Sequence, residues 1–269
     1  MEFRTIVDIN APGFRIEPCE EMLFVGSCFA DNIGVRFKEE KFRATVNPFG
    51  VMYNPASILH TVERLSLAEP SILGSLRTAF FTLGTNHIYR LKETGEIVDN
   101  CQKRPQSLFT EEELTVDECA NYLQKAIDIL RAANPDIHVV LTVSPIRYRK
   151  YGYHGSQLSK ATLLLATRQV AGASYFPAYE IVNDELRDYR FYAEDMLHPS
   201  SQAVEYIWQR LSEVYLSDAA KQFIKEWQPL KAALNHKPFN PESQEYRIFM
   251  DKTMLKIAEL QKKYPNFAV

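Results

Sequence analysis

The chain has 269 residues, 46% hydrophobic and 24% charged, the balance of an ordinary soluble globular protein with room for one large domain or two small ones. A formal net charge of -3 and a pI of about 6.1 leave no basic footprint, so no nucleic-acid partner is expected. No apolar run approaches the roughly 20 residues that span a bilayer. The first residues, with charges at Glu2 and Arg4, hold no apolar core of signal-peptide length. The expectation is therefore a cytoplasmic protein without a membrane partner. The cysteines (Cys19, Cys28, Cys101, Cys119) are scattered with no CxxC or metal-finger spacing, which fits free thiols. The histidines form no HExxH-like pair, so neither metal nor organic cofactor is expected.

Short apolar runs at 22–25, 44–46, 79–83, 138–143 and 173–176 alternate with helical patterns near 30–40, 55–67, 116–133, 157–170 and 200–216. Continuous apolar strands between helices predict a parallel sheet covered on both faces, a three-layer α/β/α, flavodoxin-like domain over residues 1–217. Thr115 or Asp117 can cap the third of these helices, and Asn134-Pro135 ends it. Pro199-Ser200-Ser201 is a plausible helix start. Between residues 88 and 98 the pattern reads as a hairpin with Gly95 in its turn. Residues 218–269 carry two further helical patterns, 219–234 and 243–263, separated by 235–241 with Pro238 and Pro241. This tail predicts a C-terminal helical pair packed on the domain, too short for a core of its own.

In open α/β sheets ligands bind beyond the carboxyl ends of the strands. The residues there are Gly26-Ser27-Cys28-Phe29-Ala30-Asp31, Asn47-Pro48-Phe49-Gly50, Gly84-Thr85-Asn86 and, after the last strand, Glu194-Asp195-Met196-Leu197-His198-Pro199. The first block, with Asn32-Ile33-Gly34, resembles the bacterial GSCFA family, which is similar to the SGNH (GDSL-like) serine hydrolases. So do the stretch from Asn47 to Pro55, Val143-Ser144-Pro145-Ile146-Arg147, the stretch from His154 to Lys160, and the run from Tyr189 to Pro199. The resemblance covers roughly residues 20–210. It implies a serine esterase with Ser27 as nucleophile and Asp195 and His198 beside it. The oxyanion donors it implies are the Ser27 N–H, the Gly50 N–H and the Asn86 side chain.

The chemistry of the residues agrees. A serine hydroxyl needs a base within hydrogen-bond reach. An Asp and a His three apart can be turned by one short loop toward a common point, with Asp195 orienting the imidazole. Singly, each group has a plainer reading. Ser27 could be a helix cap, Gly50 and Asn86 turn residues, and Asp195 and His198 a local cap with a surface histidine. Their joint placement at strand ends favours catalysis. Ser27 and Cys28 cannot both face the site, and the expectation gives that place to Ser27, with Cys28 a small buried hydrophobe. The loop after the fourth strand, with Arg147, Tyr148 and Tyr151, is expected to be a substrate platform whose tyrosine faces stack on a sugar ring. The combined expectation is hydrolysis of an ester, by preference an O-acyl (acetyl) ester of a carbohydrate. The alternatives are an O-acyltransferase with the same site and a non-catalytic carbohydrate-binding module. The oligomeric state is left open.

Overall fold

The computed structural model describes residues 3–101 and 104–267. Five parallel strands form the main sheet: β1 (Glu21–Gly26), β2 (Arg43–Val46), β3 (Thr78–Leu83), β7 (His138–Val143) and β8 (Ala173–Tyr175), ordered β2-β1-β3-β7-β8. That is the flavodoxin-like order, and the strands fall where the apolar runs place them. Pairing is in continuous register, with Leu23 beside Thr45 on one side and Ala79 on the other, and Phe80 beside Val140.

Side chains alternate across the sheet, so each strand feeds two cores. Leu23, Val25, Phe81 and Leu141 pack under α2 (Pro55–Ala68), α4 (Val116–Ala133) and α5 (Gly152–Gln169). Met22, Phe24, Phe80 and Val140 pack under α1 (Cys28–Glu39) and α7 (Ser201–Tyr215). The helix starts are set by side-chain caps. Asn54 Oδ1 accepts from Ser57 N at 2.9 Å, Thr115 forms a reciprocal box with Glu118, and Ser200 Oγ accepts from Ala203 N. In α7, Glu205 Oε2 lies 3.1 Å from Arg36 Nε and the Arg36 guanidinium lies 5.1 Å over Trp208. Residues a similar distance into α1 and α7 thus meet, so both helices begin at the carboxyl edge of the sheet.

Three elements depart from the sequence reading. The hairpin β4 (His87–Leu91) and β5 (Ile97–Val98) gains a third strand, β6 (Phe109–Glu113), forming a separate antiparallel sheet ordered β5-β4-β6. A short helix, α3 (Pro70–Ser75), follows α2, and α5 starts five residues before its apolar pattern does. Another helical element of the domain is a turn, α6 (Ala178–Glu180), continued by the wider Ile181–Leu186 segment.

The tail forms α8 (Asp218–Asn235) and α9 (Gln244–Lys263). Phe223, Trp227, Ile257, Leu260 and Phe267 enclose Cys19 of the main domain. Trp227 Nε1 donates to Glu39 O at 3.0 Å, at the last turn of α1. The buried Glu40 carboxylate is met by Arg36, by Lys231 Nζ at 3.0 Å and by Gln228 Nε2 at 2.9 Å, so two of its three partners come from the tail. Trp227→Ala removes both a buried ring and a donor and should cost about 3–5 kcal/mol, read from urea unfolding midpoints.

Candidate active site

Gly26 sits at φ +149, and a Cβ there would strike the Thr82 carbonyl, so the turn from β1 into α1 demands glycine. Ser27 N still donates to Thr82 O at 3.0 Å, continuing the strand. Its side chain then turns to its own helix: Oγ accepts from Phe29 N at 3.3 Å as the N-cap of α1, and the residue is 0% exposed. Cys28, the first residue of α1, is half-buried, and its thiol lies beside the Tyr53 hydroxyl, which burial first and the neighbouring sulfur next push up to about 12. Capping thus turns Ser27 inward, and the next side chain, Cys28, is the one left partly exposed. The other buried thiols differ. Cys19 and Cys119 are enclosed in the cores, and burial pushes both up to about 12.

Asp195 and His198 do meet. Asp195 Oδ1 accepts from Leu197 N at 2.9 Å and His198 N at 3.0 Å, and Oδ2 lies 2.5 Å from His198 Nδ1. These backbone donors first, and the imidazole next, hold the Asp195 carboxyl down at about 2, so it stays ionised at any working pH. The turn is tight enough to put Met196 at φ +59, a conformation that disfavours side chains with a Cβ. Arg147 holds it there: its backbone N donates to Leu197 O at 3.1 Å and Nη1 to Met196 O at 3.0 Å. The Arg147 guanidinium also lies 4.3 Å over the Tyr153 ring and 5.3 Å over Tyr192. One of its five donors is thus engaged by the histidine turn.

The expected oxyanion donors are otherwise engaged. The Ser27 N–H is in the strand ladder, the Gly50 N–H closes a turn on Asn47 O at 2.8 Å, and Asn86 Nδ2 donates to Leu114 O at 2.8 Å. A group the sequence reading passed over occupies the centre of this edge. Lys160 is 1% exposed, and Nζ donates to Gly84 O at 2.6 Å and Ser144 O at 2.8 Å, beyond the ends of β3 and β7. It lies on the buried stripe of α5 with Ser156, Ser159, Leu163 and Ala166, the signal that marks it. Burial pushes its ammonium down to about 7.

Above Lys160 lies Tyr148, whose ring centroid is 5.1 Å from Nζ. Gly84 is pressed between the walls: a Cβ there would lie 2.5 Å from Tyr148 Oη, 2.8 Å from Tyr53 O and 3.4 Å from Ser27 Cβ. The Tyr148 hydroxyl is buried and makes no hydrogen bond to any described residue. Tyr151 stacks on His87 at 3.7 Å between centroids, nearly parallel. Lys160 covers one face of Tyr148 and His87 one face of Tyr151, and both residues wall a cavity.

That cavity, about 360 Å³, opens between the small sheet and the loop after β7, lined by Tyr53, Asn54, Thr85, Tyr89, Tyr148 and Lys150 among others. It falls within the range of small-molecule sites, about 300–1,000 Å³. Lys150 bridges the Tyr89 hydroxyl and Glu111, tying the loop to the small sheet. Among the described residues no group of three or more His, Cys, Asp or Glu side chains could hold a metal ion, and no helix is long and apolar enough to cross a membrane.

The class so defined is a flavodoxin-like α/β protein with an imidazole–carboxylate pair on the carboxyl edge of its sheet. Residues 21–72 and 68–211 match the model of the GSCFA family, and 227–269 match that of the GSCFA domain protein, C-terminal domain. The chain belongs to the GSCFA family. A comparison with curated proteins finds no match. Among solved structures it is similar to a catalytic mutant of an acetylxylan esterase from Geobacillus stearothermophilus, at 12% identity, 76% of this chain, 98% of that one and a TM-score of 0.46. It is also similar to a GDSL-like lipase from Bacteroides thetaiotaomicron, at 14% identity, 77% and 88% coverage and a TM-score of 0.44.

Lys160 provides a test of the edge. Its folded value near 7 lies below the ordinary 10.5, so the unfolded chain binds the extra proton between those limits. Stability then rises with pH from about 7 toward 9, and the penalty is fully present below 7. Relative to Lys160→Met, the wild-type chain should gain up to about 1.4 kcal/mol per pH unit in that window, measured by urea unfolding.

Proposed function

We propose that the protein hydrolyses an O-acyl ester, with a short acyl group on a polar alcohol such as a carbohydrate. The reaction would pass through an acyl-enzyme formed at the turn between β1 and α1. The observation that carries this reading is the His198–Asp195 pair, with Nδ1 2.5 Å from a carboxylate held ionised. That contact fixes which ring nitrogen faces Asp195 and leaves Nε2 to take a proton from the nucleophile and return it to the leaving alcohol. The pair precedes α7 and the nucleophile turn opens α1, and both helices start at one edge. In this reading Arg147 acts by positioning the His198 turn.

The cavity supports the substrate class: Tyr53, Tyr89, Tyr148 and Tyr151 line it with ring surface and a few polar atoms, against which a sugar ring can pack, and about 360 Å³ leaves little room for a long acyl chain. A lipase would need an apolar channel to reward each added methylene, at about 0.8 kcal/mol.

The test is a panel of acetyl, butyryl and longer aryl esters beside O-acetylated saccharides. His198→Ala should lower turnover about 100- to 10,000-fold with an unchanged circular dichroism spectrum. A variant as active as the wild type would remove His198 from the mechanism. Catalytic efficiency should fall once the acyl group exceeds about four carbons. A palmitoyl ester turned over better than an acetyl ester would overturn the substrate class and leave the His198 chemistry standing.

A further inference from the structure

The turn at the end of β1 offers two nucleophilic side chains, and the geometry separates them. Ser27 Oγ is enclosed and already accepts the Phe29 N–H. Cys28 is partly exposed at the first position of α1, and its backbone N–H finds no acceptor among the described residues. Its sulfur meets Tyr53, which lines the cavity, and across that cavity wall stands Tyr148 with its buried, unpartnered hydroxyl.

We propose that Cys28, and not Ser27, is the nucleophile, with the Tyr148 hydroxyl and the Cys28 N–H donating to the oxyanion. This rests on the ester-hydrolase reading above and decides which atom carries the acyl group. Cys28 Sγ gives its proton to His198 Nε2 as the S–C bond forms at the ester carbonyl, whose oxygen becomes the anion. Collapse restores the carbonyl and breaks the C–O bond, and the departing alkoxide takes the proton from His198. Water then attacks the thioester, giving a proton to His198; the C–S bond breaks and the sulfur regains that proton as the carboxylic acid leaves. No oxidant or metal enters the balance.

Tyr148 is suited to the donor role. Burial holds its phenol well above the ordinary value, so it keeps its proton at any pH at which the histidine works. Lys160 beneath one face and Tyr53 packed edge-on fix the ring. A donor pre-set in this way needs no reorganisation when the oxyanion forms. It adds a donor where the Gly50 N–H and one Asn86 Nδ2 hydrogen are bound elsewhere.

The experiment is acid quench of the wild-type protein during turnover of an aryl acetate, followed by peptide mass mapping and treatment with neutral hydroxylamine. The expected result is an acetyl group on Cys28, released by hydroxylamine as a thioester is. Cys28→Ala should lose at least about 1,000-fold in kcat. Tyr148→Phe should lose about 100- to 1,000-fold in kcat with little change in KM, as removal of a transition-state donor does. The mapping uses unmodified protein, so a variant that fails to fold does not remove the test. An acetyl group on Ser27, resistant to hydroxylamine, would overturn the proposal and leave the esterase reading in place. Absence of any adduct together with absence of turnover on every ester in the panel would overturn both.

Discussion

A single amino group, Lys160 Nζ, holds the centre of the carboxyl edge. Beyond the ends of parallel strands, backbone carbonyls run out of neighbours, and a buried carbonyl without a donor is costly. Lys160 reaches from α5 and satisfies two of them, Gly84 O and Ser144 O, with no carboxylate partner among the described residues. The loop that Gly84 begins is fixed from the other side as well, since Gly84 N and Thr85 N both donate to Tyr53 O. Tyr53, Gly84 and Tyr148 are thereby pressed into one wall. Burying an ammonium group costs several kcal/mol unless it is well bonded. A fold that keeps one here spends that stability on the geometry of the edge.

The second constraint is the entry into α1. A chain leaving a buried strand for a helix must cap the first amide groups, and serine is among the side chains best able to do so from the N-cap position. Once Ser27 is committed to Phe29 N, the next residue inherits the outward position. The same local rule that ends β1 therefore decides which heteroatom meets a guest. On the opposite side of the edge the His198 turn is built with equal economy. One carboxylate accepts two backbone amides and orients the ring, and one residue, Arg147, holds two of the turn's carbonyls, Leu197 O through its backbone N–H and Met196 O through its guanidinium.

Much of the main sheet was legible because its strands are continuous apolar runs separated by capped helices. Thr115, Asn134 and Ser200 mark helix ends in plain view, as Gly95 at φ +73 marks the hairpin. Strand β6 was not legible: Phe-Thr-Glu-Glu-Glu pairs on one side only and leaves most of its side chains in solvent, so it carries no apolar alternation. Helix α3 was hidden because its six residues hold Pro70 and Gly74 and bury only Leu73, too little for an apolar pattern. In the site, the meeting of Asp195 and His198 follows from their spacing. The direction of Ser27 against Cys28 does not, because a turn motif names residues without saying which way each points. The internal contacts of Arg147 and Tyr148 were not legible for a related reason. A polar loop looks solvated until its intramolecular partners, here Met196 O and Lys160, are visible. Lys160 itself could have been found, as a charge on the buried stripe of an amphipathic helix.

Helix α1 joins two distant commitments. Its 12 residues span about 18 Å, with the Ser27–Cys28 turn at one end and the tail's grip on Glu39 and Glu40 at the other. A close-packed rod of that kind cannot shift at one end alone. Whatever free energy the docked tail contributes to holding the thiol end in register, an occupant at that end must return, by reciprocity, to the docking of the tail. The two C-terminal helices are thus coupled to a site they never touch, and the strength of their grip becomes a quantity through which affinity at the far end of α1 can be tuned.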